Sequence, residues 1–404
     1  MEKQLWKACL DGKVKDVRKL LQSSQLNTNW QDSQHSTYFF IACERGHVEI
    51  VKILLSDKRV DVNKARYNGE TPFWIACQNK HIEIVKLLLN DKRVDINQVE
   101  NENCSSPFWI VCEKGHIDIV KLLLNDKRVD INEADIFDET PFYIACSQGH
   151  IQIVKLLLMD ERVDIKKANN NETTPFFIAC YYNHPEIVKL LLNDERVDIK
   201  KARNTGETPF FIACYKGFIE IVNLLLNDEK IDINKAKNDD GVTPFYIACY
   251  RGQIEIVKLL LNDERIDVNR ASKNGLTPFY LACRRGHIDV VKLLLNNNRV
   301  EKTQTQNDYW ASFWIACYDG HIDIVKSLLS DERVNLNKTN KKNESPFYIA
   351  CYKGHIEIVK LLLNDKRISI KKKTKKEKTS LDIAEEERHS EIVKLIKEFD
   401  TGID

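Results

Sequence analysis

The sequence has almost no charge imbalance: 61 lysines and arginines stand against 60 aspartates and glutamates in 404 residues. A strong field of one sign is missing, so nothing in the total argues for nucleic acid as a partner. No apolar leader is expected either. The opening stretch MEKQLWKACLDGKV has no hydrophobic core of the kind a secretory signal needs. The longest apolar runs are broken by the lysine of IVKLLL, so no segment reads as a membrane span and no insertion is expected. No G-x-x-x-x-G-K loop is present to cradle phosphate, and no serine or cysteine sits in a recognisable nucleophile motif. Neither a cofactor nor catalysis is expected.

What is present is one pattern, repeated. Its cleanest copy is TPFYIACYRGQIEIVKLLLNDERIDVN, Thr243 to Asn269. Thr243 supplies a hydroxyl that can cap a helix, and Pro244 suits the first helical position, where its missing N–H would be unpaired anyway. Phe245 to Arg251 reads as a short first helix, ended by Gly252 in the left-handed conformation. Ile254 to Asn262 reads as a second helix. Glu255, Lys258 and Asn262 form one narrow polar stripe on it, and Ile254, Ile256, Val257, Leu259, Leu260 and Leu261 take the remaining surface. Such a helix must be covered on several sides. One pair cannot cover itself, so it needs a neighbour before and after.

The neighbours are there. The cysteine of the IAC tripeptide recurs at Cys9, Cys43, Cys77, Cys112, Cys146, Cys180, Cys214, Cys249, Cys283, Cys317 and Cys351, with Glu385 in the same slot of a last copy. The steps are 34 or 35 residues. Twelve helix pairs fill the chain, which predicts a quasi-linear stack in which each copy touches its neighbours. TPFYIA, GHIEIVKLLL and VDIN repeated in register resemble the ankyrin repeat family over almost the whole chain. The resemblance implies an all-α solenoid of helix-turn-helix units joined by finger-like turns, and a binding module in place of an enzyme. Two departures stand out. The histidine that the family carries after Thr-Pro-Leu is an aromatic here, as at Trp74, Trp109 and Tyr246. The family's Gly-Ala after the second helix is replaced by a longer link such as Asp91 to Val94, so the second helix should end on Asn90 and its equivalents.

The division expected is a single repeat domain over 1–404. Its N-terminal capping copy spans 1–30, its central copies 31–370 and its C-terminal capping copy 371–404. The first copy is the more polar version that an end position requires. The last, SLDIAEEERHSEIVKLIKEF, carries Glu385, Glu386, Glu387 and Arg388 as a wet outer face. The pattern breaks at 296–312. The Asp-Ile-Asn ending is lost there, and Ala311-Ser312 replaces Thr-Pro, which predicts a weak point or bend.

The in-frame cysteines read as small buried hydrophobes. Equivalent cysteines should lie at helix-packing spacing, ~8–10 Å, and a disulfide needs Cα atoms within about 7 Å. Reduced thiols in this number fit the cytosol. Cys104 is out of frame, in a turn where many copies have glycine. Nine of the ten histidines, between His47 and His389, head second helices, each in its own copy and too far from the next to share a metal. Their expected role is structural.

Two sets of positions vary between copies, the tip of the turn before each Thr-Pro and the pair after each in-frame cysteine. The family resemblance places both on the concave, partner-binding face. The second set holds Tyr181, Tyr182, Tyr215, Tyr250, Tyr318 and Tyr352, with Lys216, Arg251, Arg284, Arg285 and Lys353 beside them. The tips add Tyr67, Ile136, Phe137, Tyr309 and Trp310. Tyrosine and arginine are common interface anchors. The tyrosines therefore read either as packing between turns or as a ladder for an extended, acidic protein segment. The function expected is a non-catalytic scaffold or adaptor, with a targeting or inhibitory subunit of an enzyme as the alternative. A cytoplasmic chain is expected. The run Lys371 to Lys378 reads as a solvated turn, a nuclear address or a patch for an anionic surface.

Overall fold

A computed structural model describes residues 1–238, 240–301 and 311–401. Contacts divide the chain into two units, Met1–Asn204 and Thr205–Asp404. The first holds six helix pairs: α1 (Glu2–Leu10) and α2 (Val14–Leu21), α3 (Tyr38–Glu44) and α4 (Val48–Ser56), α5 (Pro72–Gln78) and α6 (Ile82–Asn90), α7 (Pro107–Glu113) and α8 (Ile117–Leu124), α9 (Pro141–Ser147) and α10 (Ile151–Leu158), α11 (Pro175–Tyr181) and α12 (Pro185–Leu192). The second holds six more: α13 (Pro209–Lys216) and α14 (Ile219–Leu226), α15 (Pro244–Arg251) and α16 (Ile254–Leu261), α17 (Pro278–Arg284) and α18 (Ile288–Leu295), α19 (Ser312–Asp319) and α20 (Ile322–Leu329), α21 (Pro346–Lys353) and α22 (Ile356–Leu363), α23 (Ser380–Glu386) and α24 (Ser390–Thr401). Within each unit first helices pack on first helices and second on second, in chain order. Among the described residues no strand forms, and one isolated antiparallel bridge joins Gln31 to Thr37.

The local chemistry is the one the sequence implies. The hydroxyl of Thr243 accepts from Tyr246 N at 3.1 Å, and Thr71, Thr140 and Thr277 cap their helices in the same way. Thr37 still caps α3 although Tyr38 replaces the proline. Ala311 cannot, and α19 begins without a side-chain cap, yet it packs between α17 and α21 as the other first helices do. The core is aromatic and aliphatic. Phe73, Ala76, Ile84, Val85 and Leu88 are buried, as are their equivalents. The second helix is enclosed on several sides, as its pattern implies, but not on all. In α16, Ile256, Val257, Leu260 and Leu261 are buried, but Ile254 and Leu259 are half-buried. Neighbours cover two flanks and the first-helix side, and the outer side stays wet. There Lys258 Nζ meets Glu255 Oε1 at 2.8 Å.

Three polar ties recur between copies. The first is a histidine over a glycine. Gly252 sits at φ +71, and a Cβ there would lie 2.6 Å from the His287 ring. The bare glycine lets the ring lie flat while its Nε2 reaches Tyr250 O at 3.0 Å. A carbonyl only accepts, so Nε2 carries the proton. His81 does the same over Gly46, reaching Glu44 O at 3.0 Å. The second tie is an arginine fork. Arg128 Nη2 holds Asp126 Oδ2 at 2.6 Å and donates to Leu89 O, the end of the preceding second helix, at 2.7 Å. Arg265 repeats this with Asp263 and Leu226 O. The arginine beside each of these aspartates holds its carboxyl below the usual range. The third is an asparagine bridge. Asn63 Nδ2 donates to Arg93 O at 2.7 Å while its Oδ1 accepts from Asp95 N at 2.8 Å.

The finger turns are tied as well. Asn101 N donates to Asn68 O at 2.8 Å, Ile136 N to Asn103 O at 2.9 Å and Asn170 N to Phe137 O at 3.0 Å. Trp74 and Trp109, aromatics in the slot where the family carries histidine, donate their indole N–H to Ser105 O and Glu139 O of the following finger.

Candidate functional site

The eleven in-frame cysteines are buried, and burial pushes the Cys9 thiol up to about 12 and the others higher. They are inert packing groups. Cys104 is half-buried in a left-handed turn position, φ +57, where Gly69 and Gly241 sit in other fingers. Among the described residues no three of His, Cys, Asp and Glu gather as a metal site. Nine of the ten histidine rings are spent on the carbonyl tie, eight of them over a glycine and His116 one period after Lys80. What remains to build a site is the variable set at the first-helix ends and finger tips.

In the second unit those ends form an organised row. The Arg251 guanidinium lies 4.8 Å from the centre of the Tyr215 ring. The Arg285 guanidinium lies 4.3 Å from the centre of the Tyr250 ring and also donates to the Tyr250 hydroxyl. Lys353 Nζ is 4.4 Å from the Tyr318 ring centre and 5.3 Å from that of Tyr352. Trp314 stacks on Tyr318 at 5.3 Å from within the same helix. Three of the four ring contacts are thus made by a cation one copy further along, each a cation–π pair worth ~0.5–1 kcal/mol when exposed. The backbone is pinned too. Tyr250, Arg284, Tyr318 and Tyr352 each give their carbonyl to the histidine of the following copy. Arg251, Arg284, Arg285, Tyr352 and Lys353 remain exposed, Tyr215, Lys216, Tyr250 and Tyr318 half-buried. Asp319 is the row's own acid. Burial raises its pKa, against the pull of His321, Arg284 and Lys353.

In the first unit the same positions are Glu44-Arg45, Gln78-Asn79, Glu113-Lys114, Ser147-Gln148 and Tyr181-Tyr182. The last two rings meet edge to face, 5.0 Å apart, with Tyr182 53% exposed. Apolar exposure lies instead at the finger tips, with Tyr67 at 60%, Ile136 at 47% and Phe137 at 55%. Tyr309 and Trp310 lie outside the described residues.

The sequence did not announce the arginine fork, the histidine seat or the cation over each ring. The signal for the first two was their co-occurrence: Asp-x-Arg follows nearly every second helix, and eight of the nine slot histidines come one period after a glycine.

Each unit, then, is a stack of helix-turn-helix copies with paired finger turns, the build of a repeat scaffold whose non-repeating surface is free to bind. The family model for ankyrin repeats in three copies matches residues 5–100, 158–237, 229–306 and 313–404, and that for ankyrin repeats in many copies matches 108–158. The chain belongs to the ankyrin repeat family, whose repeats are protein–protein interaction modules, typically without catalysis. No curated protein matches it.

Proposed function

We propose that the chain is a non-catalytic scaffold that receives an extended, acidic segment of a partner protein along the row from Tyr215 to Lys353. The supporting observation is pre-organisation. The tyrosine rings are held by cations, and the peptide groups beneath them by histidines, before any partner arrives. Little side-chain entropy remains to be lost on binding. The exposed faces of Arg251, Arg284, Arg285 and Lys353 supply charge for carboxylates, and the rings supply apolar contact. Five copies at ~10 Å per step span ~40 Å, a length that about twelve extended residues cover. In the first unit Tyr181, Tyr182, Tyr67, Ile136 and Phe137 form a second, less charged set for the same partner or another.

The test is fluorescence anisotropy of a labelled peptide of about fifteen residues that alternates glutamate with leucine, a length set by the span above. It should bind the intact chain and lose affinity on Arg285→Glu. Equal affinity for the variant, with unchanged circular dichroism, removes the reading.

A further inference from the structure

The most strongly charged surface is separate from that row. It lies on the last two fingers of the second unit, where Lys371 to Lys378 sets six lysines against Glu377 alone. The preceding finger brings Lys342 alongside, because Lys375 N donates to Lys342 O at 2.9 Å and Asn343 Nδ2 to Lys373 O at 2.7 Å. The run is closed into a turn. Thr374 is buried, its N–H donates to Lys378 O at 3.0 Å, and Glu377 holds the left-handed conformation at φ +58. Lys342, Lys371, Lys373, Lys375 and Lys376 are exposed. Lys373 meets Glu377 at 3.5 Å and Lys371 meets Asp400 at 3.9 Å, both solvated pairs. Among the described residues Lys342, Lys372, Lys375 and Lys376 form no ion pair.

We propose that these two fingers dock on an anionic phospholipid surface. Three observations select that occupant. Every cation of the patch is lysine, a strongly hydrated point charge that suits a diffuse negative surface better than a shaped site. Neither finger carries an aromatic or an arginine, so the patch lacks the stacking platforms of single-strand binders and the bidentate donors that read base edges. It lacks the anchors of a protein interface for the same reason. The closed turn also opposes the address reading, since a receptor would meet a tied finger in place of an extended run. Four to eight clustered lysines are the usual count for electrostatic attachment to a bilayer without insertion, and no described helix is long and apolar enough to cross one.

The experiment is co-sedimentation of the full chain with phosphatidylcholine vesicles, neutral or carrying about 30% phosphatidylserine, the anionic lipid of the cytoplasmic leaflet. Binding is expected to the anionic vesicles alone and should fade as salt rises from about 0.05 to about 0.5 M. The variant Lys342→Gln, Lys373→Gln, Lys375→Gln, Lys376→Gln should lower the partition coefficient at least tenfold, since each lysine near such a surface is worth roughly a factor of five. A charge-matched control, Lys86→Gln, Lys121→Gln, Lys258→Gln, Lys292→Gln, should lose less than about a third as much. Equal binding to both vesicle types overturns the proposal. So does an equal loss in the control, which would reduce the effect to net charge. Tighter binding of a single-stranded oligonucleotide that depends on the same four lysines overturns it as well, and reassigns the patch to nucleic acid. Circular dichroism of both variants checks that each remains folded.

Discussion

The two units share their joints and differ in their faces. Each ties copy to copy with the same arginine fork, as at Arg128 and Arg265, and the same histidine seat, as at His81 and His287. At the first-helix ends they part. The first unit shows Glu44, Gln78, Glu113 and Ser147 there, with a tyrosine, Tyr181, in its last copy, and the second shows Tyr215, Tyr250, Arg284, Tyr318 and Tyr352 among cations. A period fixes what must be identical for stacking. Whatever changes between copies at equal burial is free of that duty and available for recognition. The comparison separates the two kinds of residue inside one chain.

The largest expected effect attacks the difference in faces. Tyr215→Ala with Tyr250→Ala should weaken the acidic peptide about a thousandfold, as central tyrosine anchors are worth ~2 kcal/mol or more each. The matching change in the first unit, Tyr181→Ala with Tyr182→Ala, should cost less than about threefold. Titration of both double variants by anisotropy decides it. Comparable losses would mean that recognition is not confined to the second unit's row.

The second prediction attacks the sameness of the joints. Gly115 and Gly286 hold φ +72 and +75, and a Cβ on either would sit 2.7 or 2.8 Å from the histidine ring of the following copy. Alanine at either should cost about 1–2 kcal/mol from the left-handed backbone, with the displaced ring adding to it. Lys80 and Asn183 occupy the same position at φ +60 and +62, so asparagine should cost less than alanine. Urea unfolding of the four single variants measures this. A cost confined to one unit would show that the histidine seat is not equivalent in both.

Most of the architecture was legible because its signals are local. Thr243 and Pro244 start a helix and Gly252 ends one whatever surrounds them. The link places the end of the second helix one residue too far in most copies: α6 ends on Asn90 as implied, but α8, α12 and α16 end on the preceding leucine and leave the asparagine as the cap. The period then supplied the stacking partners. What escaped was contact one period away. Nothing near Arg265 names Leu226 O as its acceptor, and nothing near Gly252 says that an imidazole lies on it. The same limit explains α16. Its pattern called for cover on several sides, and only packing shows that Ile254 and Leu259 are the positions left half-buried. For the row, the sequence placed tyrosines and cations in adjacent copies. Whether Arg285 points into solvent or folds back onto Tyr250 depends on side-chain direction, and it folds back.

A smaller effect tests the arginine fork. Arg128→Lys and Arg265→Lys keep the charge but lose the planar grip on the aspartate and the reach to the preceding helix end. Both forks are partly exposed, so water screens them and the cost should stay below about 1 kcal/mol in each unit. The aspartates of these forks titrate below the ordinary carboxylate range, so their stabilisation is present above that range and is lost as pH falls through the folded value. The stability difference between parent and either variant should therefore shrink in acid. Unfolding at pH 7 and at about pH 3 checks it. A difference that grows in acid would assign the cost to something other than the fork.

The smallest effect concerns acids held in the fingers of the first unit. Glu70, Asp135 and Glu139 all titrate above their usual range, each chiefly because burial penalises the charged form. At Glu139 the carboxylate is held by Asn169 Nδ2 at 3.1 Å, while Asp135 nearby adds like charge. A carboxyl raised on folding binds more protons in the folded state than in the unfolded one, so its ionisation costs stability as pH rises from the unfolded value, about 4.3, through the folded one. Glu139→Gln keeps the acceptor for Asn169 and removes the charge. The variant should be as stable as the parent near pH 4 and more stable at pH 7, by less than about 1 kcal/mol. Melting both proteins from pH 4 to 7 measures the divergence. A variant weaker than the parent at pH 7 would mean that the ionised carboxylate, through a contact that the amide cannot make, holds the finger in place.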